Sequence, residues 1–446
     1  MSATISPVAE RAPHHSPFPP ETIADTGLTP ELITELLLKT LHVRGALSGQ
    51  ALVDSICLPF AIVDELLLAL QHQRLIEVRR TAGAGRGGYI FDLTSAGSER
   101  AREAMAAGQY VGPAPVPLDY YRAWIEEQAI RNVQVTRERL LGAFDHLVLE
   151  QEFIESLGPA VNSGKSLFIF GDSGNGKTMI AEALARLLGT SFYLPYAVDI
   201  GGQIMVVYDP VYHRPVVPHG DAGRDASDGP EWLRHLPEYD RRFARVERPV
   251  VLTGGELTLE QLDLQYDRDT KMYQAPFQVK ANGGVLILDD FGRQRVPPRD
   301  LLNRWILPLE KRMDFLTLHT GAKFPVPFEC LLIFATNLDP NDLVEEAFLR
   351  RIHYKVRAES PSRAQYEEIF RRCASANALV YEPEAVAHVY RDFYDARGIA
   401  PRGCHPRDLV DHICDIARFL EVEPALSYDL VDRACRSYFL DASKRL

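Results

Sequence analysis

The sequence predicts an α/β fold: a parallel sheet flanked by helices, a small helical lid at the C-terminal end, and a three-helix domain with a hairpin in front. Three observations carry this expectation. The apolar run Ser166-Leu-Phe-Ile-Phe170 breaks into Gly171-Asp-Ser-Gly-Asn-Gly-Lys-Thr178 and continues as the helix-patterned Met179-Ile-Ala-Glu-Ala-Leu-Ala-Arg-Leu-Leu188. A second apolar run, Gly283-Gly-Val-Leu-Ile-Leu288, ends in Asp289-Asp290. Beyond residue 357, helical periodicity recurs near 360–373, 383–396, 406–420 and 427–440.

Strand, glycine-rich turn and helix, in that order, make a P-loop. Gly171, Gly174 and Gly176 let the backbone turn so that successive N–H groups point at phosphate oxygens. Lys177 then reaches the β- and γ-phosphates, and the Thr178 hydroxyl ligates Mg²⁺. Asp172, Ser173, Asn175 and Met179 complete the candidate nucleotide-binding stretch. The positive end of the following helix faces the phosphates.

Composition narrows the class. A chain of 446 residues with 46% hydrophobic content is long enough for two to four globular domains. It carries no apolar run near the ~20 residues that span a bilayer and no hydrophobic signal core in its first 27 residues, so the expectation is a cytoplasmic protein. Six scattered cysteines without CxxC spacing point to reduced thiols. A formal net charge of −12 argues against a polyanion as the main partner of the whole chain.

Taken in order, residues 1–27 are rich in proline, serine and alanine and read as a disordered tail. Residues 28–107 give amphipathic helices over 30–41, 48–56 and 59–72, then strand-like 75–80 and 89–94 around a glycine-rich turn, then a helix over 98–107. Three helices and a two-stranded wing resemble a winged-helix domain. Such a domain can bind DNA, with Arg79, Arg80 and Arg86 on phosphate; Asp64 and Glu65 on its third helix are a poor footprint for a duplex, so a docking role is preferred. The proline-rich 112–117 marks a linker over 108–135. The core is expected over 136–356, with strands over 191–200 and 203–208. An irregular, solvated insertion at 209–247 holds His213, His219 and His235 at spacings that match no metal pattern.

Gly283 to Asp290 has the form of a Walker B strand, with Asp289 holding the Mg²⁺ shell and Asp290 where a base polarises water. After it come a helix over 299–312, a hairpin around His319-Thr-Gly-Ala-Lys-Phe324, a strand ending Ala335-Thr-Asn337, and Phe348-Leu-Arg-Arg-Ile352. This series is similar to the AAA+ ATPases, nearest to the bacterial enhancer-binding and magnesium-chelatase-like branch, over about 136–440. The resemblance implies Asn337 as sensor 1, Arg351 as an arginine finger with Arg350 as its substitute, a helical lid over 357–446, and Arg407 in His405-Pro-Arg-Asp-Leu-Val410 as sensor 2. It further implies a Mg²⁺-dependent ATPase working as a six-membered ring. Asp290 stands where the family usually has Glu, one methylene longer, which leaves a slow nucleotide switch as the rival. No Gly-Ala-Phe-Thr-Gly-Ala loop is present, which argues against transcriptional activation; the expected substrate-facing loop is 264–274, with Tyr266 and Tyr273 as contacts. The resulting expectation is ATP-driven remodelling or loading of a protein partner, with a DNA-tethered ATPase as the alternative.

Overall fold

Thr29 starts the first long helix, Pro30–Arg44: its hydroxyl accepts from the Leu32 N–H, and Pro30 occupies the first helical position, where a missing N–H costs nothing. Ser48 caps Gly49–Ile56 in the same way, and Phe60–His72 follows. Leu47–Ser48, Tyr89–Leu93 and Ile76–Thr81 pair antiparallel in that spatial order, and Thr94 caps Ser95–Ala107. Ile33, Leu37, Leu52, Ile56, Val63, Leu67 and Phe91 close the core of this unit. The structure is a computed structural model that describes residues 17–83, 85–189, 191–216, 239–343 and 349–439.

The central sheet is all parallel. Its strands in chain order are β1 (Leu167–Phe170), β2 (Val250–Thr253), β3 (Val285–Leu288), β4 (Leu331–Thr336) and β5 (Tyr354–Arg357), and their spatial order is β2-β3-β4-β1-β5. β1, β3 and β4 are nearly continuous apolar runs because both faces are covered. Parallel pairing puts all carboxyl ends on one edge, where an open α/β sheet binds its ligand. Hence the P-loop after β1, Asp289 after β3 and Asn337 after β4 emerge side by side.

The lid begins at Ser362, whose capping box with Gln365 starts Arg363–Ala376. Pro383–Val389 runs into a π-helical turn over Tyr390–Asp395, followed by His405–Phe419 and Tyr428–Tyr438. Tyr366, Phe370, Val389, Leu409, Ile413 and Val431 fill its core.

Several expectations change. A second, mixed sheet joins 265–267, 272–274, 203–206, 197–200 and 116–117, so the stretch read as one strand over 191–200 is two strands in different sheets, parted at Tyr196. The proline-rich linker is packed, not free: Val116–Pro117 pairs with 198–199, and Ala114 and Val116 are buried. The tail is described from Pro17, and its second part is anchored: Asp240 N–H donates to Pro17 O, and Arg242 Nη1 donates to Thr26 O at 2.8 Å. The described parts of 209–247 are solvated only in part: Val211, Arg214 and Arg241 are exposed, whereas His213, Asp240, Arg242 and Phe243 are buried. Phe243–Val246 pairs with Phe192–Pro195, and Arg242 and Asp240 form a fully buried ion pair at 2.8 Å. Residues 217–238, with His219 and His235, lie outside the described residues, as does Phe348. His213 is a core histidine: Nδ1 accepts from Asp209 N and Nε2 donates to Lys280 O, each at 2.8 Å. Tyr273 is buried against His319, which removes it as a substrate contact; Tyr266 stacks on the same ring at 4.2 Å.

Candidate functional site

The P-loop turns because its glycines take backbone angles that side chains resist. Gly171 has φ +138°, and a Cβ there would meet Ala358 O at 2.3 Å; Gly176 has φ +75° and opens the helix Lys177–Arg186. Asp172 and Ser173 are exposed, as is Met179 just inside the helix, whereas Asn175 is buried. The Lys177 ammonium donates to Gly171 O and Asp172 O, both at 2.9 Å. Burial pulls its pKa below the ordinary lysine range and Arg402 pulls the same way, while Asp289, Asp290 and Asp172 oppose.

Thr178 Oγ1 donates to Asp289 Oδ2 at 2.7 Å, joining the P-loop helix to the tip of β3. Asp289 Oδ1 accepts from Asp290 N–H at 2.9 Å, and Gln294 Nε2 donates to Asp289 O at 2.9 Å. Asp290 itself is exposed and held at φ +48°, a left-handed angle of the kind that tolerates strain near functional sites. Gln294 also accepts from Gly292 N–H at 2.8 Å, so one amide fastens the turn that carries Asp290. Asn337 follows β4, the strand between β1 and β3, and its Oδ1 is a buried acceptor with no partner among the described residues. Among those residues no group of three or more His, Cys, Asp and Glu could cage a metal. One hydroxyl and one carboxylate suit Mg²⁺, which takes few protein ligands alongside waters and phosphates.

The two arginines stand apart from this centre. Arg351 Nε donates to Glu310 Oε1 at 2.6 Å, and its carbonyl accepts from Ser166 Oγ at 3.4 Å, at the amino end of β1, whereas the P-loop leaves the carboxyl end. A four-residue strand separates the two by roughly 13 Å. Arg407 lies exposed with its guanidinium on Asp408 Oδ1, at 3.1 and 2.9 Å. Residues 402–404, three to five positions before it, touch the P-loop, with Cys404 N–H donating to Gly174 O at 2.8 Å, as do Ala358 and Ser360 at the start of the lid, which accept from the Asn175 amide at 3.4 and 3.3 Å. The lid contact at 402–404 and Gln294 lie outside the sequence-predicted site; Arg402-Gly403, a basic residue and a glycine just ahead of the helix His405–Phe419, is the signal the sequence carries.

A family model described as "Domain of unknown function (DUF8689)" matches residues 362–437, the lid. No curated protein matches the sequence. Among solved structures, NtrX from Brucella abortus in complex with ADP is similar at 16% identity over 74% of this chain, with a TM-score of 0.39. This chain covers 64% of that protein's length. RuvB of Thermotoga maritima, described as a Holliday junction branch migration motor, is similar at 13% identity over 69% of this chain and 71% of its own, with a TM-score of 0.34.

Proposed function

We propose that this chain is an ATPase of the AAA+ type that couples Mg²⁺-dependent ATP hydrolysis to remodelling or loading a protein partner. The observation that carries the reading is the 2.7 Å hydrogen bond from Thr178 to Asp289, which brings the P-loop hydroxyl and the Walker B carboxylate to one point at the strand tips. Lys177 gives up two backbone carbonyls for phosphate oxygens, and the loop N–H groups cradle the rest. Thr178 and Asp289 would hold Mg²⁺, which neutralises phosphate charge when bound. Asp290 accepts the proton of the attacking water, and Asn337 offers its free acceptor to orient that water. The shorter reach of Asp290 makes turnover slow, and the turn fixed by Gln294 partly restores its aim.

Arg351 sits at the wrong end of β1 to serve its own phosphates, which favours a finger offered to a neighbour, and so a ring with heterologous interfaces. The N-terminal unit, read as a winged helix, serves as a docking module. Arg86 is engaged by Asp64 at 2.6 Å and Arg79 by Asp92 at 2.5 Å, so two of the three wing arginines already have carboxylate partners, which weighs against a duplex. The test pairs two experiments on the full chain. An Asp290→Asn variant should retain a specific protein with ATP, and an added Lys177→Ala should release it. Duplex binding that falls steeply between about 50 and 200 mM salt and vanishes in an Arg79/Arg80/Arg86 triple alanine variant would instead establish the DNA-tethered alternative.

A further inference from the structure

Two helices of the lid end in the same way. Arg363–Ala376 and His405–Phe419 close through Ala378 and Glu421, non-glycine residues at φ +57° and +56°. Leu379 N–H then donates to Ala374 O at 2.8 Å and Val422 N–H to Ala417 O at 3.0 Å, which fixes the direction in which each chain leaves its helix. Val380, Glu382 and Glu384 after the first helix, and Glu423 and Pro424 after the second, line one groove of about 660 Å³ together with Tyr428. Its apolar members are not used up by the core: Val380 is 77% exposed and Tyr428 63%, and Val422, next to Glu423, is exposed as well. Tyr428 is nevertheless held, because its ring centre lies 4.2 Å from that of His388, itself buried beside the carboxylates of Asp392 and Asp432 at 2.7 and 3.5 Å. An exposed aromatic ring that is already held in place loses little freedom when a partner covers it.

The charges around the groove set the sign of what fits. Elsewhere on the lid, Glu367, Glu368, Asp408 and Asp429 are each paired with an arginine of their own helix. Among the described residues no ion pair holds Glu382, Glu384 or Glu423, and no Lys, Arg or His lines the groove. Arg391, near enough to Tyr428 and Glu384 to interact with their charge, is taken up by Asp392 at 2.7 Å. An apolar surface bordered by three carboxylates suits a segment that alternates cationic and apolar side chains: the apolar groups cover Val380 and Pro424, and the cations meet the carboxylates and the Tyr428 ring. A second copy of this chain, with a formal net charge of −12, is the poorer match. We infer that this groove docks a cationic, apolar segment of a protein partner, a contact on the lid in addition to the N-terminal docking module. It lies apart from the phosphate site and requires no nucleotide.

The test titrates the full chain, without nucleotide, with three short fluorescent peptides: one alternating lysine and leucine, one alternating glutamate and leucine, one alternating lysine and serine. The lysine and leucine peptide should bind saturably and roughly tenfold or more tighter than either control, since each control lacks one half of the match. Tyr428→Ala should weaken it roughly tenfold, and Tyr428→Phe should keep most of the wild-type affinity because the ring survives. Val380→Ser, at a position with little packing to lose, should weaken binding about threefold and keeps the test decisive if Tyr428→Ala melts early. The triple substitution Glu382→Gln, Glu384→Gln, Glu423→Gln should weaken binding several-fold at about 50 mM salt and hardly at about 1 M, where the charges are screened. The same charge removed from the core at the exposed Glu138, Glu152 and Glu260 should leave binding unchanged. An equal loss in that core triple, or undiminished binding in both Tyr428→Ala and Val380→Ser, would mean attraction to acidic surface at large and overturns the inference. So does preference for the glutamate and leucine peptide. Self-association of wild type that Val380→Ser abolishes, with no peptide bound, assigns the groove to a second copy and overturns it too.

Discussion

The contact between lid and P-loop can be tested without any nucleotide by substituting Gly174→Ala. Two costs add. Gly174 has φ +87°, where an L-residue is disfavoured by ~1–2 kcal/mol. The new Cβ would also stand 2.5 Å from Cys404 Sγ, about an ångström inside ordinary contact, and forcing such an overlap costs ~1–3 kcal/mol. The expected destabilisation is therefore ~2–5 kcal/mol. Cys404→Ala removes the sulfur and leaves its Cβ 3.5 Å from the new methyl, an ordinary contact, so the double variant keeps the backbone cost and sheds the clash. Denaturant titration of wild type, both single variants and the double variant should give a favourable coupling of ~1–3 kcal/mol. Additivity within ~0.5 kcal/mol would refute the close seating of the lid on Gly174.

Burial, with Arg402 second, pushes the His405 pKa down to about 4, so its neutral form belongs to the folded state. The unfolded chain takes up the proton first, so stability is complete above about pH 6.5 and falls progressively toward pH 4, by ~3 kcal/mol at most. His405→Gln should flatten that slope in melting midpoints; an unchanged slope sinks the assignment. Asn337→Ala should lower turnover by roughly tenfold to a hundredfold with nucleotide affinity within about threefold, and a loss confined to affinity would contradict a role on water. Mixed oligomers of Arg351→Ala and Lys177→Ala subunits should regain phosphate release, because some interfaces pair an intact finger with an intact loop. No recovery in verified mixed rings removes Arg351 from the site, and a monomer under ATP removes the ring.

The parts legible in the sequence are those written in contiguous residues. The P-loop, the apolar strand ending in Asp289 and the strand ending in Asn337 each announce themselves by period and punctuation, and parallel pairing brings their ends together. Strands at 197–200 and 203–206 fall within the stretches expected to be extended, but their pairing with 116–117 and 265–274 was illegible because those strands are short and owe their stability to partners distant in the chain. The Asp240–Arg242 pair shows why charge alone misleads: polar residues in an irregular stretch read as solvated, yet this pair is buried and satisfied by Thr26 O. Asn175 was read as a P-loop position; its bridging of Ala358, Ser360 and Gly403 depends on lid placement, which no local pattern encodes.

Steady-state release of phosphate from ATP and Mg²⁺ by the purified full chain, beside the Lys177→Ala blank, tests the central claim most directly. Lys177 loses its only charge in the blank, so phosphate cradling fails there whatever the partner. Slow turnover above the blank, reduced further by Asn337→Ala, is the predicted result. Nucleotide binding by wild type with phosphate release no higher than the blank would contradict hydrolysis and leave a binding switch.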